Sequence, residues 1–198
     1  MPYLTNEEHA TRLKRVRETM AQHDLDILLV YYDEFNIGNG WYLTGWCPQF
    51  ESGAVLVPRQ GEPLLLGGPE SEPFAKLDSA VKQTRNFPVF MVPDEEYPNA
   101  KIIGFRDLFG ELKTTLGTVR RAGLVGGGRM PAECYRQLAE GFQGVELKDV
   151  TEDYVRLRYL KSDWEREQIR AAFRLADAGH EAMRDKAADG VSELAAAA

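Results

Sequence analysis

Ile27-Leu28-Leu29-Val30-Tyr31 is an unbroken apolar run of five residues. It is too short for a buried helix and has the length of a strand covered on both faces. It therefore predicts the first central strand of a sheet with layers above and below. Upstream, Thr5-Asn6-Glu7-Glu8 has the form of a capping box, in which a hydroxyl accepts from the backbone and a carboxylate three residues on reaches back. The helix it opens is expected to reach about Gln22. Leu13, Val16 and Met20 fall on one face, and Arg12, Lys14, Arg15, Arg17 and Glu18 are expected to form a solvated one.

Downstream, residues 53–57 and 62–66 read as two strands, and Pro58-Arg59-Gln60-Gly61 suits the tight reversal between them. A short helix is predicted over 70–77, strands over 81–84 and 89–92, and a helix over 101–116. Residues 122–125 read as a strand, Gly126-Gly127-Gly128 as a turn, and Pro131 as a residue of the following helix's first turn. Residues 145–147 supply one more strand. Strands alternating with helices, plus one hairpin, predict an α/β fold of three layers, α/β/α, around a mixed sheet.

Past this region, Ser162-Asp163-Trp164-Glu165 forms a second capping box, opening a helix to about Lys186. Its apolar stripe is Ile169, Ala172, Phe173, Ala176, Gly179 and Met183, a face that needs cover. Gly190 then breaks the helix and Ser192 has the form of another cap. The run from Leu160-Lys161-Ser162-Asp163-Trp164-Glu165 through Ile169-Arg170, Ala172 and Leu175-Ala176-Asp177 to Gly190-Val191-Ser192-Glu193-Leu194 resembles a junction in the creatinase, prolidase and aminopeptidase P family. There an N-terminal α/β domain hands over to a metal-dependent catalytic domain of the pita-bread type. A second similarity lies in Asn39-Gly40-Trp41-Tyr42-Leu43-Thr44-Gly45-Trp46, which resembles the family's asparagine, tyrosine, leucine, threonine, glycine signature. Tyr42-Leu43-Thr44-Gly45 also has a plainer reading, a short buried turn of helix ending at a glycine cap.

The resemblance implies a creatinase/prolidase-like N-terminal domain over 1–157, and over 158–198 a linker with the first helices of a catalytic domain. It implies a parent hydrolase cleaving a peptide-like or amidine C–N bond, a bond beside proline among the candidates, and acting on a small molecule or short peptide. The parent's catalytic half is implied to hold two divalent metal ions (Mn, Zn or Co) on two aspartates, a histidine and two glutamates, so that a bridging water attacks the bond. Those residues are expected beyond Ala198. The histidines here, His9, His23 and His180, have no partners at ligand spacing. No catalytic residue and no metal ligand is assigned within 1–198, and the chain alone is expected to be inactive.

The family resemblance also implies a homodimer, in which the loop after Trp46 reaches the partner subunit's active site and helps select the substrate. On that basis Trp46, Gln49, Phe50 and Glu51 are candidate substrate-binding residues acting in trans. Creatinase-like members carry an aromatic and an arginine there, the latter suited to a substrate carboxylate. With no arginine in Cys47-Pro48-Gln49-Phe50-Glu51-Ser52, creatine is disfavoured, and Glu51 suits a cationic or amine-bearing group. The plain alternative is that Phe50 packs and Glu51 is solvated.

Composition narrows the remaining classes. A formal charge of −7 over 198 residues, with no basic run, argues against nucleic acid as a partner. No apolar stretch reaches the ~18 residues that span a bilayer, and the first ten residues lack the form of a signal peptide, so a cytoplasmic, membrane-free protein is expected. Cys47 and Cys134 share no zinc spacing and read as free thiols. Gly126-Gly127-Gly128-Arg129 raises the idea of a phosphate cradle and a nucleotide-binding domain. It lacks a Walker lysine and the GxGxxG spacing, and a strand-to-helix turn accounts for it better. The alternative to a domain of a hydrolase is a stand-alone, non-enzymatic binding module of the same fold.

Overall fold

The computed structural model describes residues 4–48, 52–92 and 96–197. In chain order the elements are α1 (Asn6–Gln22), β1 (Ile27–Tyr32), α2 (Gly38–Thr44), β2 (Gly53–Pro58), β3 (Leu64–Gly67), α3 (Glu72–Asp78) and β4 (Gln83–Asn86). There follow α4 (Phe105–Leu116), β5 (Arg121–Val125), α5 (Ala132–Gly141), β6 (Glu146–Asp149), α6 (Thr151–Arg156), α7 (Asp163–Lys186) and α8 (Glu193–Ala197). They divide into two compact units, Met1–Arg158 and Tyr159–Ala198.

In the first unit the strands form one sheet in the order β4-β3-β2-β1-β5-β6. β1 runs antiparallel to β2, with Leu29 opposite Leu56, and parallel to β5, with Leu29 opposite Leu124. β3 is antiparallel to β2 and parallel to β4, and β6 is parallel to β5. Every strand but β2 therefore runs in the same direction. All six side chains of β1 are buried, as an apolar run without alternation requires. Ile27, Leu29 and Tyr31 face a layer made by α4 and α5 through Phe105, Leu108, Leu112, Cys134 and Leu138. Leu28, Val30 and Tyr32 face the opposite layer, where α1, α2, α3 and α6 contribute Val16, Met20, Tyr42, Leu43, Ala75 and Tyr154. This is the three-layer α/β/α sandwich with a mixed sheet that the sequence predicts.

Local details depart from expectation for identifiable reasons. The apolar stretch 89–92 is not a strand: Pro88–Phe90 form a single 3-10 turn. Pro88 fixes a helical φ and has no N–H for a ladder, and the turn drives Phe90 into the core against Phe87 and Phe105. The helix expected from 101 starts at Phe105, where Asp107 Oδ2 accepts the Gly104 N–H at 2.9 Å. α6, which the sequence reading leaves unassigned, is one and a half turns held by the buried Tyr154, whose hydroxyl donates to the Asn39 carbonyl at 2.7 Å.

Arg12 is also a correction. It is 4% exposed rather than solvated. Its Nε bonds Glu8 Oε1 at 2.9 Å, an Nη donates to the Tyr42 carbonyl at 2.9 Å, and the guanidinium lies 4.9 Å from the Tyr42 ring centroid. Burial is tolerated because the charge has a carboxylate and its donors have acceptors. Thr5 caps α1 as expected, its Oγ1 accepting the Glu8 N–H at 3.2 Å.

In the second unit the capping box of α7 is complete. Ser162 Oγ accepts the Glu165 N–H at 3.1 Å and Glu165 Oε2 accepts the Ser162 N–H at 2.8 Å. No residue of α7 is buried, and Ile169, Phe173 and Met183 are exposed along it. Ser192 caps α8 through the Ala195 N–H, at 3.2 Å.

Candidate functional site

Because every strand except β2 points the same way, the C-terminal ends of β1, β3, β4, β5 and β6 share one edge of the sheet with the start of β2. In open α/β sheets this edge gathers ligand-binding loops, above all where successive helices leave to opposite faces. That switch lies between β1 and β5: α2, after β1, packs in one layer, and α5, after β5, in the other. β2 begins at the same edge with Gly53, opposite Tyr32, and the predicted loop, Cys47 to Ser52, precedes it in sequence.

α2 ends at Gly45, whose left-handed φ of 62° turns the chain towards that loop. The turn is pinned by Thr44, fully buried, whose hydroxyl accepts the Trp46 N–H at 3.0 Å and lies within bonding reach of the Gly40 and Trp46 carbonyls. Trp46 is half-buried and packs against the core layer containing Tyr42 and Leu43. It lines, with Tyr32, Ser71, Glu72, Thr84 and Asn86, a cavity of about 10 Å³. A space of that size has room for one water at most. Of the sequence-predicted site residues, Gln49, Phe50 and Glu51 lie outside the described residues.

Two tyrosines stand at the root of the loop, Tyr31 opposite Ala54 and Tyr32 opposite Gly53. Burial, reinforced by the Asp33 carboxylate and opposed by a hydrogen bond with Ser52, pushes the Tyr31 hydroxyl up to about 12. It stays protonated at neutral pH. Beyond β1, Asp33 Oδ1 accepts the N–H groups of Phe35 and Asn36 at 3.0 and 3.1 Å, while Asn36 Oδ1 accepts the Asp33 N–H at 2.5 Å. This double turn leaves Phe35 73% exposed. The Arg129 guanidinium, from the turn after β5, lies 4.7 Å from the Phe35 ring centroid. Sequence reasoning missed the Asp33, Phe35 and Arg129 group, because nothing in the chain's order brings residues 35 and 129 together until β1 and β5 pair. The signal that was available is the turn-forming Asp33 and Asn36 around an aromatic.

Gly126 adopts a left-handed conformation, φ 79°, and its N–H donates to Thr151 Oγ1 at 2.9 Å. An amide already committed, with Pro131 ahead of α5, makes this segment a strand-to-helix turn. His23 bridges α1 to the last strand and α6, its Nε2 2.8 Å from Asp153 Oδ2 and its Nδ1 3.0 Å from Lys148 Nζ. His9 is half-buried, and burial above all holds its pKa below the ordinary value. His180 is exposed on α7. Among the described residues no three His, Cys, Asp or Glu side chains come together as a metal site. They do not fit the two metals implied by resemblance, and no chemical step is assigned to them. Nor is any described helix long and apolar enough to cross a membrane.

What the fold defines is a three-layer α/β/α domain around a mixed six-stranded sheet. The chain belongs to the creatinase/prolidase N-terminal domain family, whose profile matches residues 12–160. Among solved structures it is similar to the prolidase from Pyrococcus horikoshii OT3, with 18% identity, 94% of this chain and 46% of that one covered, and a TM-score of 0.63. It is similar to the X-Pro aminopeptidase from Thermotoga maritima MSB8, at 15% identity, 93% and 46% coverage and a TM-score of 0.68. The aminopeptidase P from Streptococcus thermophilus matches at 19% identity, with 76% of this chain and 98% of that one covered and a TM-score of 0.54. At such identities the likeness is one of fold. The chain spans under half the length of the Pyrococcus and Thermotoga proteins. No curated protein sequence matches it.

Proposed function

We propose that these residues serve as the N-terminal, non-catalytic part of a metallohydrolase of the creatinase, prolidase or Xaa-Pro peptidase kind, cleaving a peptide-like or amidine C–N bond. In this reading the domain pairs subunits and gates the substrate, and residues 158–198 link it to the first helices of a catalytic half. The observation that carries the reading is the family match over 12–160. Trp46 anchors the loop, and Gln49, Phe50 and Glu51 meet the substrate in the neighbouring subunit's site. Chemistry, with its two divalent metals, belongs to the catalytic half.

Calorimetric titration of the 198-residue chain with manganese and zinc, alongside an assay on Xaa-Pro dipeptides, tests the division of labour. The expected result is no turnover and no tight binding. Stoichiometric binding at micromolar affinity or better, about −8 kcal/mol, would place a metal site in this chain and overturn the reading.

A further inference from the structure

α2 buries Asn39, Gly40, Tyr42, Leu43 and Thr44, which turns Trp41 outward at 45% exposure. The Trp41 N–H bonds the Ile37 carbonyl at 3.0 Å, so Ile37, 40% exposed, sits one turn behind it. Phe35 precedes them with Arg129 stacked on its ring. Three large apolar side chains close together in the chain, flanked by a stacked arginine, have the composition of an interface centre rather than of an ordinary surface.

The charges beside this patch indicate the occupant. Glu34 is exposed next to Phe35, and among the described residues neither Glu34 nor Arg129 is in an ion pair. A patch holding one unpaired acid and one unpaired base is self-complementary: a two-fold axis lets each copy's Glu34 meet the other's Arg129. A basic or acidic protein partner would be met by a rim of a single sign. An anionic membrane would be repelled by Glu34 and by the chain's net charge of −7.

We infer that Phe35, Ile37 and Trp41, with Glu34 and Arg129, form the surface through which two copies of this chain pair. The inference rests on the reading that the domain pairs subunits, and it names where.

Sedimentation velocity of the 198-residue chain, over a concentration series, provides the test. The wild type is expected to dimerise, and Phe35→Asp and Trp41→Asp to weaken the dimer by about tenfold or more, while the melting curve at dilutions where every variant is monomeric stays unchanged, since both side chains are exposed. Glu34→Arg and Arg129→Glu should each weaken pairing, and the double substitution should restore it. Phe173→Asp, on the exposed stripe of α7, should leave the dimer intact. A dimer lost only on Phe173→Asp, or indifferent to all the substitutions around α2, overturns this surface while leaving subunit pairing standing. A wild-type chain that stays monomeric throughout refutes the pairing reading itself.

Discussion

Gly40→Ala sets two effects of known sign against each other. Gly40 lies inside α2, where alanine would ordinarily stabilise the helix by up to about 1 kcal/mol. A Cβ added there would stand 2.5 Å from Cδ1 and 2.7 Å from Cγ of Tyr32. These atoms are near the base of the side chain and have little freedom to swing. The ring has little room to retreat, because the Gly53 backbone lies so close against its far end that even a Cβ there would stand 2.7 Å from the hydroxyl and 2.9 Å from Cζ, and Tyr32 is only 1% exposed. Overpacking of this kind costs about 1–3 kcal/mol, so the net expectation is a loss of ~1–2 kcal/mol. Urea unfolding followed by tryptophan fluorescence measures it, since Trp46 packs in the same layer. The decisive comparison is Gly40→Ala on a Tyr32→Val background, where the ring is gone. There the substitution should become neutral or stabilising, giving a coupling of about 1–3 kcal/mol. An equal cost on both backgrounds, or no cost on the wild type, would refute the packing of Tyr32 between the two glycines.

Arg12→Ala should destabilise by about 2–4 kcal/mol in the same assay, because it strips the Tyr42 carbonyl and Glu8 of a buried donor; a loss under about 0.5 kcal/mol would return Arg12 to the solvated face. Asp26 is held below the usual carboxylate range: burial by itself raises its pKa, but the N–H groups of Arg120 and Arg121, with Arg59, more than offset this. A lowered native pKa adds stability above the unfolded value that is lost as pH falls through the native one, so stability should decline below about pH 4. Asp26→Asn should flatten that acid limb, and an unchanged limb would contradict the assignment. Burial pushes the Cys134 thiol up to about 12, with Glu133 adding to the effect. Iodoacetamide at about pH 8 should therefore modify Cys47 while sparing Cys134 until the fold opens, and peptide mass mapping distinguishes the two.

Elements that satisfy one strong local rule were legible in the sequence. β1 could be read because a strand covered on both faces needs every residue apolar, and α7 because Ser162 and Glu165 complete a reciprocal cap. The stretch 89–92 misleads because its apolar side chains are the same whether a strand or a 3-10 turn buries them, and the decision falls to the φ of Pro88. α6 has Tyr154 as its one buried side chain, too little periodicity to announce a helix. Arg12 shows the limit of charge as a guide to exposure: its acceptors are a residue one turn earlier and a carbonyl thirty positions away. Around the candidate site, the short helix ending at the Gly45 cap could be read from residues 42–45, whereas Phe35 and Arg129 meet only through the pairing of β1 with β5.

The claim that this domain selects substrate through the loop after Trp46 is tested most directly by kcat/KM. The measurement is made for several candidate substrates on the protein that carries this domain with its catalytic half. Phe50→Ala and Glu51→Gln are predicted to change the ratio of kcat/KM between substrates by about tenfold, ~1.4 kcal/mol, with amine-bearing substrates losing most on Glu51→Gln and the melting temperature unmoved. Unchanged kcat/KM for every substrate, accompanied by a lower melting temperature, would show that these side chains serve the fold and would contradict the account.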